Sequence, residues 1–199
     1  MRLFVALIPP GAVLAHLAAA IEDAAGPCDA EGGQLRWAGS EQWHLTLAFL
    51  GQVQEGTMVE LTRRLERAAR RHRPMDLSVA GAGVFGSRAR ARVVWAGIRG
   101  DRPELRALAG SAGAGARRSG ISVDDRPFRP HLTLARSRSR QGTDVTAFVE
   151  AFESYAGPTW TARELHLVRS YLGRQGARYE TLRSWPLGRP TPPDPLPRS

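Results

Sequence analysis

The sequence predicts an α+β protein built as two related αβ lobes, and three observations carry that expectation. Strand and helix signals alternate along all 199 residues, and a hydrophobic content of 42% is enough for a real core. Above all, the pentapeptide His44-Leu45-Thr46-Leu47-Ala48 recurs letter for letter as His131-Leu132-Thr133-Leu134-Ala135, close to half the chain length away. Each copy sits in a strand pattern after a helix–loop stretch. The period is longer than that of common solenoid repeats, and two copies cannot make an array, so the repeat reads as a duplicated site.

Residues 2–8 form an apolar run ended by Pro9-Pro10-Gly11 and read as a buried first strand. Residues 11–25 follow as an amphipathic, Ala-rich helix. Residues 27–39 are loop-like, with a turn at Gly32-Gly33 and a short strand at Leu35-Arg36-Trp37. Residues 43–50 are a strand closed by Gly51. Residues 57–71 are helical, because Met58, Leu61, Leu65 and Ala68/Ala69 fall on one face and arginines on the other. Strands at 76–84 and 92–98 bracket a Gly/Arg turn. Pro103 suits a first helical turn, and the helix it opens is diluted by Gly110, Gly113 and Gly115. A strand at 130–136, a helix at 144–155 and strands at 159–170 and 178–185 complete a single bilobal domain over residues 1–187. The Pro-rich segment 188–199 lacks apolar partners and is expected to be a mobile tail.

The formal charge is +9, and every one of the 28 basic side chains is arginine. Guanidinium is always charged and suits bidentate phosphate contacts, so a polyanionic partner is expected. Cys28 is the only cysteine, which excludes a disulfide framework and a thiolate metal site and fits a reducing cytoplasm. No segment approaches the ~20 apolar residues of a membrane-spanning helix. The N-terminal run is too short, and too soon broken by proline, for a secretory signal.

Side chains alternate along a strand, so His44 shares a face with Thr46 while Leu45, Leu47 and Phe49 point into a core. His131 and Thr133 repeat this over Leu132 and Leu134. A pseudo-twofold axis would bring two imidazoles and two hydroxyls around one small cavity. In-line displacement at phosphorus needs a base on the attacking side and an acid on the leaving side, and imidazole serves either role near neutrality. The hydroxyls can donate to non-bridging oxygens. A single His-x-Thr is ordinary in a half-buried strand; its identical copy in a matching context favours function. Two histidines without a third ligand fall short of a catalytic zinc site, so no metal and no cofactor are expected. His16, His72 and His166 lack a paired motif and read as surface or packing residues.

Several segments together resemble the bacterial RNA 2′,3′-cyclic phosphodiesterases, first called 2′-5′ RNA ligases, of the two-histidine (2H) phosphoesterase superfamily. These are Arg2-Leu3-Phe4-Val5-Ala6, Trp43 through Gly51, Gly83-Val84-Phe85 with Arg92-Val93-Val94-Trp95, Pro127 through Arg136, and Tyr179-Glu180-Thr181-Leu182. The resemblance implies a bilobal 2H fold with antiparallel sheets lining a central cleft. The implied activity is opening of a 2′,3′-cyclic phosphate at an RNA 3′ end to a 2′-phosphate, with 2′-5′ ligation at the same site or a non-catalytic RNA-end binder as alternatives. It assigns catalysis to His44 and His131, phosphate contact to Thr46 and Thr133, and substrate binding to Arg136. His44 is taken as the proton donor and His131 as the acceptor. The partners are RNA 3′ ends or small 2′,3′-cyclic nucleotides, and the protein is expected to be a cytoplasmic monomer.

Strict alternation puts Arg136 on the leucine face, so reaching a phosphate requires a strand end or a bulge. By the same rule Phe49 belongs to the core instead of joining Phe128 in stacking a base. Gly110 through Gly115 follows a helix and lacks the ending of a phosphate loop, so it is not read as a nucleotide site. Arg88, Arg90 and Arg92 alternate in a hairpin and form either a phosphate-tracking rim or a solvated face.

Overall fold

The computed structural model describes residues 1–29, 33–124, 126–173 and 176–188. Nine strands and four α-helices follow in the order β1 (Arg2–Leu7), α1 (Gly11–Asp29), β2 (Leu35–Trp37), β3 (Leu45–Gln52), α2 (Met58–Ala69), β4 (Met75–Ser87), β5 (Arg90–Gly100), α3 (Arg102–Arg118), β6 (His131–Ser137), α4 (Thr146–Ala151), β7 (Trp160–Ala162), β8 (Glu164–Gly173) and β9 (Gly176–Pro186) among the described residues. The strands make two antiparallel sheets, ordered β3-β1-β8-β9 and β2-β6-β5-β4-β7. The two copies of the pentapeptide therefore lie in different sheets, one in each lobe.

The lobes interlock. Helix α1 leaves the first sheet and packs beside α4, while α3 leaves the second sheet and packs against α2 and β3. The first helix of each half thus lies beside the second helix of the other half. One apolar core unites Leu3, Val5 and Leu7 of β1 with Val94, Ala96 and Ile98 of β5. Phe4, Ala6 and Val168 form a separate small cluster on the opposite face of the first sheet.

Several elements differ from the sequence reading. The single strand expected over 159–170 is two, since the chain leaves the second sheet after Ala162 and enters the first at Glu164. The Leu187 N–H pins this crossing by donating to the Arg163 carbonyl at 2.7 Å. The helix expected over 144–155 is cut to Thr146–Ala151, because the following chain turns so that Ala156 bridges Ala80. The glycines of α3, expected to weaken it, do not interrupt it: the helix runs unbroken from Arg102 to Arg118, with Gly113 and Gly115 buried in its packed face. Helix α1 runs on to Asp29, through the stretch expected to be loop. Residues 189–199 of the expected tail, and Gly32 of the expected turn, lie outside the described residues.

His72 also ties α2 to α3. Its Nδ1–H donates to Glu104 Oε1 at 3.0 Å, and its Nε2 is hydrogen-bonded to the Ser111 hydroxyl at 2.9 Å. Ser111 sits in the middle of α3, so these two bonds clamp the turn after α2 onto that helix. His72 is therefore the packing residue expected. Among the described residues, no helix is long and apolar enough to cross a membrane.

Candidate active site

Each histidine enters its strand in the same way. The His44 Nδ1–H donates to the Gln42 carbonyl at 2.7 Å, and the His131 Nδ1–H donates to the Arg129 carbonyl at 2.6 Å. Both bonds reach back two residues, to the turn before β3 and the loop before β6. The first is held by the 3-10 turn Ser40–Gln42 and by Trp43, which is buried directly before His44. A carbonyl accepts only, so it fixes the tautomer and leaves Nε2 of each ring as the nitrogen free for proton transfer.

Aromatic rings fix the imidazole planes. His44 stacks on Phe4 with centroids 4.5 Å apart, and Tyr179 meets it edge-on at 4.9 Å. His131 meets Phe85 edge-on at 5.1 Å and lies 6.0 Å from Trp95. Trp95 lies flat because Gly83 faces it: a Cβ there would fall 2.3 Å from the indole ring. Phe4, Phe85, Trp95 and Tyr179 occur in segments that resemble the family, yet sequence reasoning did not assign them to the site. The signal was weak in β1, where Leu3, Val5 and Leu7 alternate with residues that are also apolar.

The two strands share a distortion. In β1–β3 the register shifts so that Thr46 pairs with Ala6 but Ala48 with Val5; in β5–β6 Thr133 pairs with Trp95 but Ala135 with Val94. Leu47 and Leu134, the same letter of the repeat, are the extra residues of two β-bulges. Both stay buried, as do Ala48 and Ala135, and the alternation flips beyond them. Arg136, which strict alternation put on the leucine face, is thereby turned out to the cleft side and is exposed. Its counterpart Phe49, expected in the core, is 57% exposed and lies 6.5 Å from Phe4. Phe128, the other stacking candidate, packs against the core.

The β8–β9 hairpin completes the site. Tyr179 pairs with Ser170 and Leu3 with Arg169, so Tyr179 belongs to the row of Arg2, six residues along β1 from the level of His44. A flat sheet would separate those rows by about 20 Å. Instead the outer hairpin curls over the sheet, with a bulge between Leu167 and Val168, and Gln42 Nε2 donates to the Ala177 carbonyl at 3.0 Å. His166, read as a surface or packing residue, pairs with Ala6 on the same face as Thr46 and is hydrogen-bonded to Ser184 at 2.8 Å.

Burial lowers the pKa of His44 to about 4, opposed by the bond to Gln42 and reinforced by the nearby charge of His131. His131 is lowered too, first by burial and then by Arg136, against the raising effect of the Arg129 carbonyl. The charge of His131 is thus felt at His44 across the cleft. Burial pushes the Tyr179 phenol up, and Arg136 and Arg2 pull it back. Before substrate binds, burial disfavours the charged form of both histidines, and the expected donor, His44, resists protonation at pH 7. A bound phosphodiester anion offsets this by favouring the imidazolium.

This burial has a consequence for stability. Unfolded His44 takes up a proton near its ordinary 6.5, whereas folded His44 does so near 4. Its contribution is therefore intact above the unfolded pKa and is lost as pH falls between the two values, by about 3 kcal/mol. Chemical denaturation at pH 7 and pH 4.5 should show His44→Gln losing less stability on acidification than the wild type. Equal losses would contradict the buried-imidazole assignment.

Two antiparallel sheets that set paired His-x-Thr strands around one cleft define a two-histidine phosphoesterase fold. Residues 15–174 match the family model of the 2′-5′ RNA ligase superfamily. The chain belongs to that superfamily. It is 36% identical over 151 residues to the RNA 2′,3′-cyclic phosphodiesterase of Escherichia coli K12, covering 74% of this chain and 77% of the relative. The Geobacillus stearothermophilus RNA 2′,3′-cyclic phosphodiesterase is 31% identical over 151 residues, 76% of this chain, but this match spans only 47% of that longer relative. The crystal structure of E. coli LigT complexed with 3′-AMP superposes with a TM-score of 0.73 at 27% identity, covering 94% of this chain and 98% of that one.

Proposed function

We infer that the chain is an RNA 2′,3′-cyclic phosphodiesterase, a hydrolase acting on phosphodiester bonds. The observation that carries the mechanism is the matched pair of Nδ1-to-carbonyl bonds, which leaves two Nε2 atoms, one per lobe, for a single substrate. His131 Nε2 takes a proton from water as its oxygen attacks phosphorus. His44, protonated in the presence of the anionic phosphate, gives its Nε2 proton to the departing 3′ oxygen. The ring opens, the P–O3′ bond breaks and a 2′-phosphomonoester remains. Thr46 and Thr133, each two residues along the strand from its histidine, donate to the non-bridging oxygens. Arg136, on the cleft side of its bulge, holds the phosphate. Exposed Phe49 and Tyr179 offer faces on which a terminal base can stack. A nucleotide ligand suits this pocket, as the 3′-AMP complex of the E. coli relative illustrates.

The test is phosphorus NMR of the products from a 2′,3′-cyclic mononucleotide. A 2′-phosphate is expected. A dominant 3′-phosphate would mean the ribose lies the other way round, and binding without turnover would support the RNA-end binder.

A further inference from the structure

Arg36 of β2 lies directly opposite Arg136 of β6. Cross-strand partners share a face at about 5 Å, and like charges so placed repel. Both side chains are exposed, and among the described residues neither has an ion pair. An anion lying between them would relieve the repulsion. The arginines continue where β6 runs out: Arg138, Arg140 and Arg92 of β5, with Ser137 and Ser139, line an open groove of about 410 Å³. No carboxylate lines it. The turn beneath is held by hydroxyls: Ser137 Oγ is 2.7 Å from Thr143 Oγ1, and the Ser139 N–H donates to Ser137 Oγ at 3.0 Å. The Arg138 Nε–H reaches back to the Leu35 carbonyl at 3.5 Å, which ties this groove to β2 beside Arg36.

From His131 through Arg136 to Arg140, one strand and its following turn thus carry cationic groups steadily away from the two imidazoles. Such a run of cations along one edge suits the successive phosphates of an extended chain. We propose that Arg36, Arg92, Arg138 and Arg140 form a second binding site, which takes the phosphodiester backbone of single-stranded RNA upstream of the cyclic end. The enzyme then grips the body of an RNA as well as its terminus. This inference rests on the reading of the cleft as the site that opens the cyclic phosphate.

The experiment compares kcat/KM for a 2′,3′-cyclic mononucleotide and for a hexaribonucleotide ending in the same cyclic phosphate. Wild type should prefer the hexamer. Arg92→Gln/Arg140→Gln should leave the mononucleotide within about twofold of wild type and lower kcat/KM for the hexamer about tenfold, through KM. Arg36→Gln should move hexamer KM in the same direction. Binding of the hexamer product should lose about 0.7 from its log–log salt slope for each phosphate contact removed. Equal losses on both substrates, or a hexamer rate and salt slope unchanged in the double variant, would overturn the second site. Failure of the wild type to open either substrate would instead overturn the functional reading of the cleft.

Discussion

Replacing His44 or His131 with alanine is expected to lower kcat/KM for a 2′,3′-cyclic phosphate by about 10²- to 10⁴-fold, the range of a positioned proton donor or acceptor. The double variant should be little worse than either single, because proton removal and proton delivery serve one displacement and fail together. The roles separate with a substrate whose 3′ leaving atom is sulfur. A thiolate departs without a proton, so His44→Ala should recover most of its loss on that substrate while His131→Ala should not. Rescue of His131→Ala alone would exchange the roles. The wild-type rate against pH should be bell-shaped, with both limbs belonging to the coupled pair. Because burial holds His44 near 4 before substrate binds, the limb for its deprotonation should lie higher in kcat than in kcat/KM, where no phosphate charge supports it. Losses under about threefold in both single variants would remove the acid–base reading.

The architecture was legible because a duplicated motif is a long-range signal. His44 through Ala48 and its copy say that two similar strands exist and serve one purpose, which local propensity alone does not reveal. What alternation misjudged lies beyond the bulges at Leu47 and Leu134. A bulge inserts one residue without leaving a mark in composition, and it reverses the facing of every later side chain. Phe49 was misplaced for that reason, and the same reversal supplies the bulge that Arg136 needed to leave the leucine face. The copy itself held a clue, since an arginine and a phenylalanine stand at equivalent positions five residues after the histidines.

The remaining differences come from contacts distant in sequence. A strand pattern over 159–170 cannot reveal that the chain changes sheets at Arg163, because both halves alternate alike. Tyr179 is brought to His44 only by the curl of the β8–β9 hairpin, secured by Gln42 more than a hundred residues earlier in the chain. The glycines of α3 looked like dilution because helix propensity counts their backbone entropy and not the packing of the face on which Gly113 and Gly115 are buried. In each case tertiary packing decided a question on which local sequence was neutral or misleading.

Thr46→Val and Thr133→Val should each lower turnover about 30- to 1,000-fold, equivalent to ~2–4 kcal/mol of transition-state stabilisation. Valine keeps the β-branched shape, so it would still suit the place of Thr46 opposite Ala6 and that of Thr133 opposite Trp95. What is lost is one hydroxyl donor to a non-bridging oxygen, whose demand for hydrogen bonds grows as charge shifts in the displacement. The loss should therefore appear in kcat, with KM changed little. Both threonines lie on the cleft side of their strands before the bulge and are only partly buried, so denaturation midpoints should stay close to wild type. Steady-state kinetics and a melting curve on each variant decide the matter. A threonine variant with full turnover and a lowered melting temperature would show that its hydroxyl supports the strand and takes no part in the chemistry.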